Sequence, residues 1–117
     1  MSIITLTLIA LVALLHLYFL VLEMFLWTRP LGMKVFRLTR EKAESTKVLA
    51  ANQGLYNGFL AAGLVWSILG ERRDVATFFL ACVVVAGLYG AATVNKRILI
   101  VQSVPALVAL VALWSVG

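Results

Sequence analysis

The chain has 117 residues, of which 63% are hydrophobic and 13% charged, and a net charge of +5 at pH 7. Soluble domains are usually about 45–50% apolar and about 25% charged, so this composition excludes an ordinary water-facing surface. The basic residues lie in short gaps between apolar runs, where lipid headgroups rather than nucleic acid are the expected partner. We therefore predict one all-α membrane domain, since a chain in lipid must satisfy its backbone polar groups internally.

Four apolar stretches are long enough to cross a bilayer, which takes roughly 20 residues in a helix. They are residues 3–27, 48–69, 75–94 and 98–116. The gaps 70–74 and 95–97 are so short that the helices on either side of each must be antiparallel. The sequence thus predicts an antiparallel four-helix bundle, forming a single transmembrane domain over residues 1–117.

The gap 28–47 is the longest segment between predicted spans. Pro30 and Gly32 are expected to end the first helix. Thr39 is predicted to cap a new helix, because a threonine oxygen can accept a hydrogen bond from the first free backbone N–H groups. A short interfacial helix leading into the second span is therefore expected here.

Lysine and arginine are distributed unevenly among the gaps. The gap 28–47 contains Arg29, Lys34, Arg37, Arg40, Lys42 and Lys47; the gap 95–97 contains Lys96 and Arg97; the gap 70–74 contains Arg72 and Arg73. With four spans, the first and third gaps share a side, which then holds eight basic residues against two. The positive-inside rule places these two gaps in the cytoplasm and both termini outside.

A set of polar side chains falls inside the predicted spans, where such groups are costly and usually face the bundle interior. The set consists of His16, Glu23, Asn52, Gln53, Tyr56, Asn57, Tyr89 and Gln102. His16 and Glu23 share a helix face, and the four members on the second helix lie within about 140° of its circumference. Depth along the helices places the set in the middle and cytoplasmic half of the bilayer, which predicts one ligand-binding cavity reached from the cytoplasm. The alternative is that these groups only hydrogen-bond the helices together, at about 0.6 kcal/mol per contact.

Small residues mark two possible packing faces. Gly54 and Gly58 form a GxxxG pair on the second helix, and Gly87 and Gly90 lie on one face of the third. Such faces allow close helix contacts within a chain or between copies, and a homo-oligomer is expected. Pro105 is expected to kink the fourth helix, because proline lacks an N–H and clashes with the preceding turn.

The chain offers little for metal or cofactor chemistry. It has one His and one Cys, so neither a standard metal site nor an intrachain disulfide is expected. Cys82 is interpreted as a small buried hydrophobic residue. There is no phosphate-binding glycine loop or nucleophile elbow, and no cofactor is predicted.

Several stretches resemble a family of small bacterial membrane proteins, domain-of-unknown-function family 1304. They are His16, 22–27 (LEMFLW), 50–61 (AANQGLYNGFLA), 87–90 (GLYG) and 101–106 (VQSVPA). The resemblance covers the whole chain and implies four membrane helices in a bacterial inner membrane, but no activity. A weaker likeness is to the membrane-associated enzymes of eicosanoid and glutathione metabolism, whose second helix holds a thiol cofactor with an arginine and an asparagine. Asn52 and Asn57 could correspond to that asparagine, but the second span contains no arginine.

Three functions fit these observations. The first is binding or transport of a small molecule or ion in the polar cavity, by an oligomer. The second is a membrane enzyme acting on a lipophilic substrate, with His16 and Glu23 as acid–base residues, although seven helical residues separate them by about 10 Å. The third is a structural partner of another membrane protein, bound through the glycine face.

Overall fold

The computed structural model describes all 117 residues, and the chain is all-α. Its elements are α1 (Ile3–Met24), α2 (Pro30–Phe36), α3 (Arg40–Leu69), α4 (Arg73–Thr93), a π-helical turn (Leu99–Ser103) and α5 (Val104–Ser115). Contacts divide the chain into two compact units, one formed by Met1–Ala13 with Ala62–Gly117 and the other by Leu14–Ala61. We call them the terminal unit and the central unit. The division passes through α1 and α3.

Two helices are long and apolar enough to cross a membrane, by length and composition. They are α1 and α4, and in each only 28% of the most apolar stretch is buried inside the protein. The core helix of a soluble protein would be mostly buried. Two of the four predicted stretches are therefore candidate spans in the structure; the other two differ from the prediction in ways that have local causes.

The second predicted stretch is the C-terminal part of a longer helix. α3 runs without interruption for 30 residues and begins at Arg40. The backbone N–H of Lys42 donates to Thr39 Oγ1 at 3.1 Å, so Thr39 caps the helix as predicted. No glycine or proline follows until Gly54, and so the short interfacial helix expected directly before this span is instead the start of α3.

A separate short helix, α2, precedes α3. Pro30 occupies its first turn, where a missing N–H does no harm. Gly32 lies inside α2 and is buried, and a side chain there would overlap the backbone oxygen of Leu26. Arg37 ends the helix in the left-handed conformation (φ 54°), with the N–H of Leu38 donating to Met33 O at 2.8 Å. The chain thus turns sharply after α1 and again after α2.

The fourth predicted stretch, a single helix over 98–116, begins instead with a π-helical turn. Pro105 is the second residue of α5, which begins at Val104 immediately after this turn. The N–H of Val104 donates to Leu99 O, five residues back. Proline lacks the N–H needed to continue regular α-helical hydrogen bonding, which accounts for a widened turn beside it. The bend of the helix axis stays a prediction.

The terminal unit has an apolar core and a largely apolar exterior. Its fully buried side chains include Ile9, Leu64, Leu80, Val83 and Leu113. Its exposed side chains include Leu69, Phe78, Val85, Leu88 and Val111. Exposed apolar side chains of this extent mark surfaces that contact lipid or another protein.

A candidate polar site in the central unit

The position of the candidate site follows from the close packing of α1 against α3. A Cβ on Gly54 would lie 2.6 Å from Met24 Cγ and 3.1 Å from Glu23 Cβ, and one on Gly58 would lie 2.8 Å from Leu20 Cδ1. A side chain at Gly54 would require Met24 and Glu23 to move, whereas one at Gly58 would meet only the flexible end of Leu20. The two glycines therefore let α1 and α3 approach closely, which brings Glu23 against the neighbouring helix.

Glu23 is hydrogen-bonded across this helix contact. Asn57 Nδ2 donates to Glu23 Oε1 at 2.5 Å, and Asn57 is only 3% exposed. Glu23 itself is partly buried. A hydrogen bond to a carboxyl group is among the stronger ones in proteins. It joins two members of the polar set that are 34 residues apart in the chain.

An open groove of about 400 Å³ lies beside this pair. It is lined by Glu23, Met24, Phe25, Trp27, Thr28, Lys47, Val48, Ala51 and Asn52. Glu23 and Asn52 were predicted as ligand residues, whereas Thr28 and Lys47 were not. Lys47 precedes Ala51 by one helical turn, but this spacing becomes a signal only once α3 is known to begin at Arg40.

Trp27 fixes one edge of the groove through a hydrogen bond and a ring contact. Its indole N–H donates to Thr46 Oγ1 at 3.0 Å, and its ring lies 4.8 Å from that of Phe36. Lys47 is held at the surface by Glu44, at 3.2 Å. These contacts connect α2 and the start of α3 to the end of α1, so the groove has a defined wall.

The other predicted residues lie in varied surroundings. His16 is fully buried, with its ring 5.6 Å from that of Phe19 in an edge-on arrangement. Gln53 is exposed, and Tyr56 is 57% exposed. Tyr89 and Gln102 belong to the terminal unit; Tyr89 is 72% exposed, and Gln102 is partly exposed. That all eight line one cavity stays a prediction.

The glycines of the terminal unit also lie at close contacts. A side chain on Gly87 would overlap Ser103 Oγ, and one on Gly90 would lie 2.9 Å from Ile98 Cγ2. Ser103 Oγ donates to Val84 O at 2.8 Å, which fixes the π-helical turn against α4. Gly87 therefore leaves the space that the serine fills.

The terminal unit has a larger groove, of about 750 Å³, that sequence analysis missed. It is lined by Glu71, Arg72, Arg73, Asp74, Thr77, Phe78 and Trp114. Arg72 makes two hydrogen bonds to Asp74, at 2.9 and 2.7 Å. These bonds, and the charge of Asp74, raise the pKa of Arg72 above its ordinary value. Arg73 donates to Leu113 O at 2.7 Å and lies 4.6 Å from the Trp114 ring.

The charges in this larger groove are thus already satisfied within the protein. The amino terminus of Met1 lies 3.6 Å from Glu71 Oε1, and the N–H of Ser2 donates to Gly117 O. Both arginines have partners as well. A groove whose polar groups are paired offers a ligand little, so we favour the smaller groove beside Glu23 as the candidate site.

Comparison with known proteins agrees with the first of the two sequence resemblances. Residues 10–114 match the family described as "Protein of unknown function (DUF1304)". The chain is also 34% identical over 116 residues to "Uncharacterized protein YpaA" of Lactococcus lactis, covering 96% of this chain and 98% of that protein. No solved structure matches. The likeness to enzymes of eicosanoid and glutathione metabolism finds no support. The chain therefore belongs to the DUF1304 family, whose function is unknown.

Proposed function

We propose that this chain is an integral membrane protein that binds or transports a small molecule or ion at a polar site on the Glu23–Asn57 pair. The observation behind this proposal is a partly buried carboxyl group, held by a buried amide at 2.5 Å, that lines an open groove. Ionisable groups among apolar helices are rare and usually functional.

The positions of the three tryptophans support the membrane assignment. Trp27 follows the end of α1, Trp66 lies in the last turn of α3, and Trp114 lies in the last turn of α5. Tryptophan is enriched where a helix leaves the hydrocarbon for the headgroups. With the apolar exterior and the two candidate spans, this pattern favours an antiparallel bundle of α1, α3, α4 and the helix Leu99–Ser115.

The ends of the terminal unit support an even number of crossings. The backbone N–H of Ser2 donates a hydrogen bond to Gly117 O, and the amino terminus of Met1 forms an ion pair with Glu71. Both termini therefore lie beside the loop between α3 and α4. Combined with eight basic residues against two, this arrangement favours both termini outside and the 28–47 gap in the cytoplasm of a bacterial inner membrane. The groove, which reaches Thr28 and Lys47, would then open to the cytoplasm.

The groove has polar groups available to a ligand. Asn57 bonds to one carboxyl oxygen of Glu23, and no protein group donates to the other. The side chains of Asn52 and Thr28 make no hydrogen bond within the protein and line the same groove. A purely structural network would pair such groups with one another. A ligand with hydrogen-bond donors is the natural partner for the free carboxyl oxygen.

We further propose that the working form is a homo-oligomer. A single chain leaves Gln53, Tyr56 and Tyr89 exposed among apolar side chains. Polar groups at membrane depth are more stable when they face protein than when they face lipid. Contact with a second copy would cover them.

The test is native mass spectrometry of the full chain extracted in mild detergent. Wild-type protein should retain a co-purifying mass that Glu23→Gln loses, while the melting temperature stays close to wild type because glutamine can still accept from Asn57. Glu41→Gln, which alters an exposed carboxylate that forms no ion pair and does not line the groove, is the control. Equal retention by wild type and Glu23→Gln, or no retained mass in either, would contradict the proposal.

A further inference from the structure

Five cationic side chains around α2 have no anionic partner in the protein. They are Arg29, Lys34, Arg37, Arg40 and Lys42, and we call them the basic surface. All are exposed, and none forms an ion pair. The sixth basic residue of this segment, Lys47, is paired with Glu44. Five unpaired positive charges therefore lie here, against one unpaired carboxylate, that of Glu41.

The backbone that presents the basic surface is well fixed. Gly32 packs against the backbone of Leu26, the Phe36 ring contacts the Trp27 ring at a tilt, and the turn at Arg37 closes α2 with backbone hydrogen bonds. A positioned set of cations loses less conformational entropy on binding than cations on a loose loop. The surface is thus arranged for binding in the folded chain.

Apolar side chains are exposed beside these cations. Leu31, on α2 itself, is 48% exposed, and Phe25, just before it, is 66% exposed. Cations next to exposed leucine and phenylalanine are typical of segments that lie in the headgroup region of a membrane. A nucleic acid would match the charge but not the apolar side chains.

We propose that the basic surface is a binding site for the anionic headgroups of phospholipids, with Leu31 and Phe25 in contact with the upper part of the acyl chains. The inference needs the chain to be in a membrane but is independent of the Glu23 site. Each Lys or Arg near an anionic lipid surface contributes roughly fivefold in affinity. Removal of two cations should therefore weaken binding about 30-fold.

The experiment titrates the full chain, in zwitterionic detergent, with phosphatidylglycerol or phosphatidylcholine. Bound lipid is counted by native mass spectrometry, and the melting temperature is followed in parallel. Phosphatidylglycerol should bind and raise the melting temperature, with an effect that falls as salt is added. Lys34→Gln combined with Lys42→Gln should weaken this binding about 30-fold, and neither change touches a special backbone conformation.

The control removes the same charge elsewhere. Lys96→Gln combined with Arg97→Gln takes two exposed cations from the loop after α4, and should leave affinity for phosphatidylglycerol close to wild type. An equal loss in both double variants would overturn the site, since only total charge would then matter. Equal binding of phosphatidylcholine, or an equal effect of inorganic phosphate or of an oligonucleotide, would overturn the assignment to anionic lipid. Glu23→Gln should bind phosphatidylglycerol as wild type does, so the two proposals fail separately.

Discussion

The segment around α2 and the loop between α3 and α4 use similar residues in opposite ways. In the loop, Arg72 is paired with Asp74, Arg73 caps the end of α5, and Glu71 receives the amino terminus. In the segment around α2, five basic side chains have no partner and the structure is held by helix packing and aromatic contacts. Charged groups are paired within the chain in the first region and are available to a partner in the second.

The difference follows from where the acidic residues lie. Glu71 and Asp74 flank the two arginines of the loop directly, so that short side chains can reach them. In the segment 28–47 the acids, Glu41 and Glu44, come only after α3 has begun. The number of basic residues in a gap therefore says less about its role than the spacing of the acids does.

The largest effect is expected in a labelling experiment that places the two regions on opposite sides of the membrane. In a Cys82→Ala background, Ser45→Cys should react with an impermeant thiol reagent only after the cytoplasmic side is opened. Gly70→Cys should react from outside in intact cells, because it lies in the loop assigned there by the count of basic residues. Labelling of both cysteines from the same side, or of each from the opposite side to that expected, would contradict the membrane arrangement on which the comparison depends.

The next largest effect tests whether packing holds the central unit together. Gly54→Leu should lower the free energy of unfolding by about 3 kcal/mol, since even a Cβ would lie 2.6 Å from Met24 Cγ and nothing there can yield cheaply. It should also abolish any ligand retained at Glu23. The measurement is thermal unfolding in detergent. Ala62→Leu, an exposed small residue on the same helix, is the control and should unfold as wild type does; equal losses would mean that added bulk anywhere on α3 is harmful.

A moderate effect is expected from the charge contacts of the loop. Arg73→Ala should lower the free energy of unfolding by about 1 kcal/mol, because it removes a hydrogen bond to Leu113 O and the stacking on Trp114. Arg72→Ala removes an ion pair whose side chains are 50% and 68% exposed, so it should lower the free energy of unfolding by less than Arg73→Ala does. A larger loss from Arg72 than from Arg73 would show that the pair with Asp74, not the cap on α5, holds this end.

The smallest effect compares the two residues with left-handed backbone, Arg37 (φ 54°) and Glu71 (φ 49°). Glycine adopts this conformation without a steric penalty, so Arg37→Gly should raise the free energy of unfolding by under about 1 kcal/mol. The same change should weaken phosphatidylglycerol binding about fivefold. Glu71→Gly should change stability less, because the relief of strain is offset by loss of the contact with Met1. If Arg37→Gly leaves lipid binding unchanged, Arg37 does not belong to the basic surface.

Features governed by neighbouring residues were predictable from the sequence. The all-α fold follows from the apolar composition. Thr39 caps α3 by accepting a hydrogen bond from the backbone N–H three residues further on. Pro105 interrupts regular α-helical hydrogen bonding in its own helix, whatever that helix contacts. The family was recognisable from its own sequence stretches. Each of these features depends on a few adjacent residues and can therefore be predicted from the sequence.

Contacts between distant residues were decided only by the tertiary structure. Glu23 was expected to share a site with several polar groups, but its bond to Asn57 depends on how closely Gly54 and Gly58 let the helices approach. Lys47 lines the groove because α3 begins at Arg40 and continues without a break into the apolar stretch. The helical periodicity of residues 48–69 alone did not indicate this continuation. Likewise, composition gives the same charges to Arg72 and Arg37, but only the folded chain brings Asp74 to one and leaves the other without a partner. A hydrogen bond or ion pair requires atoms within about 3–4 Å, and that distance is set by packing rather than by position in the sequence.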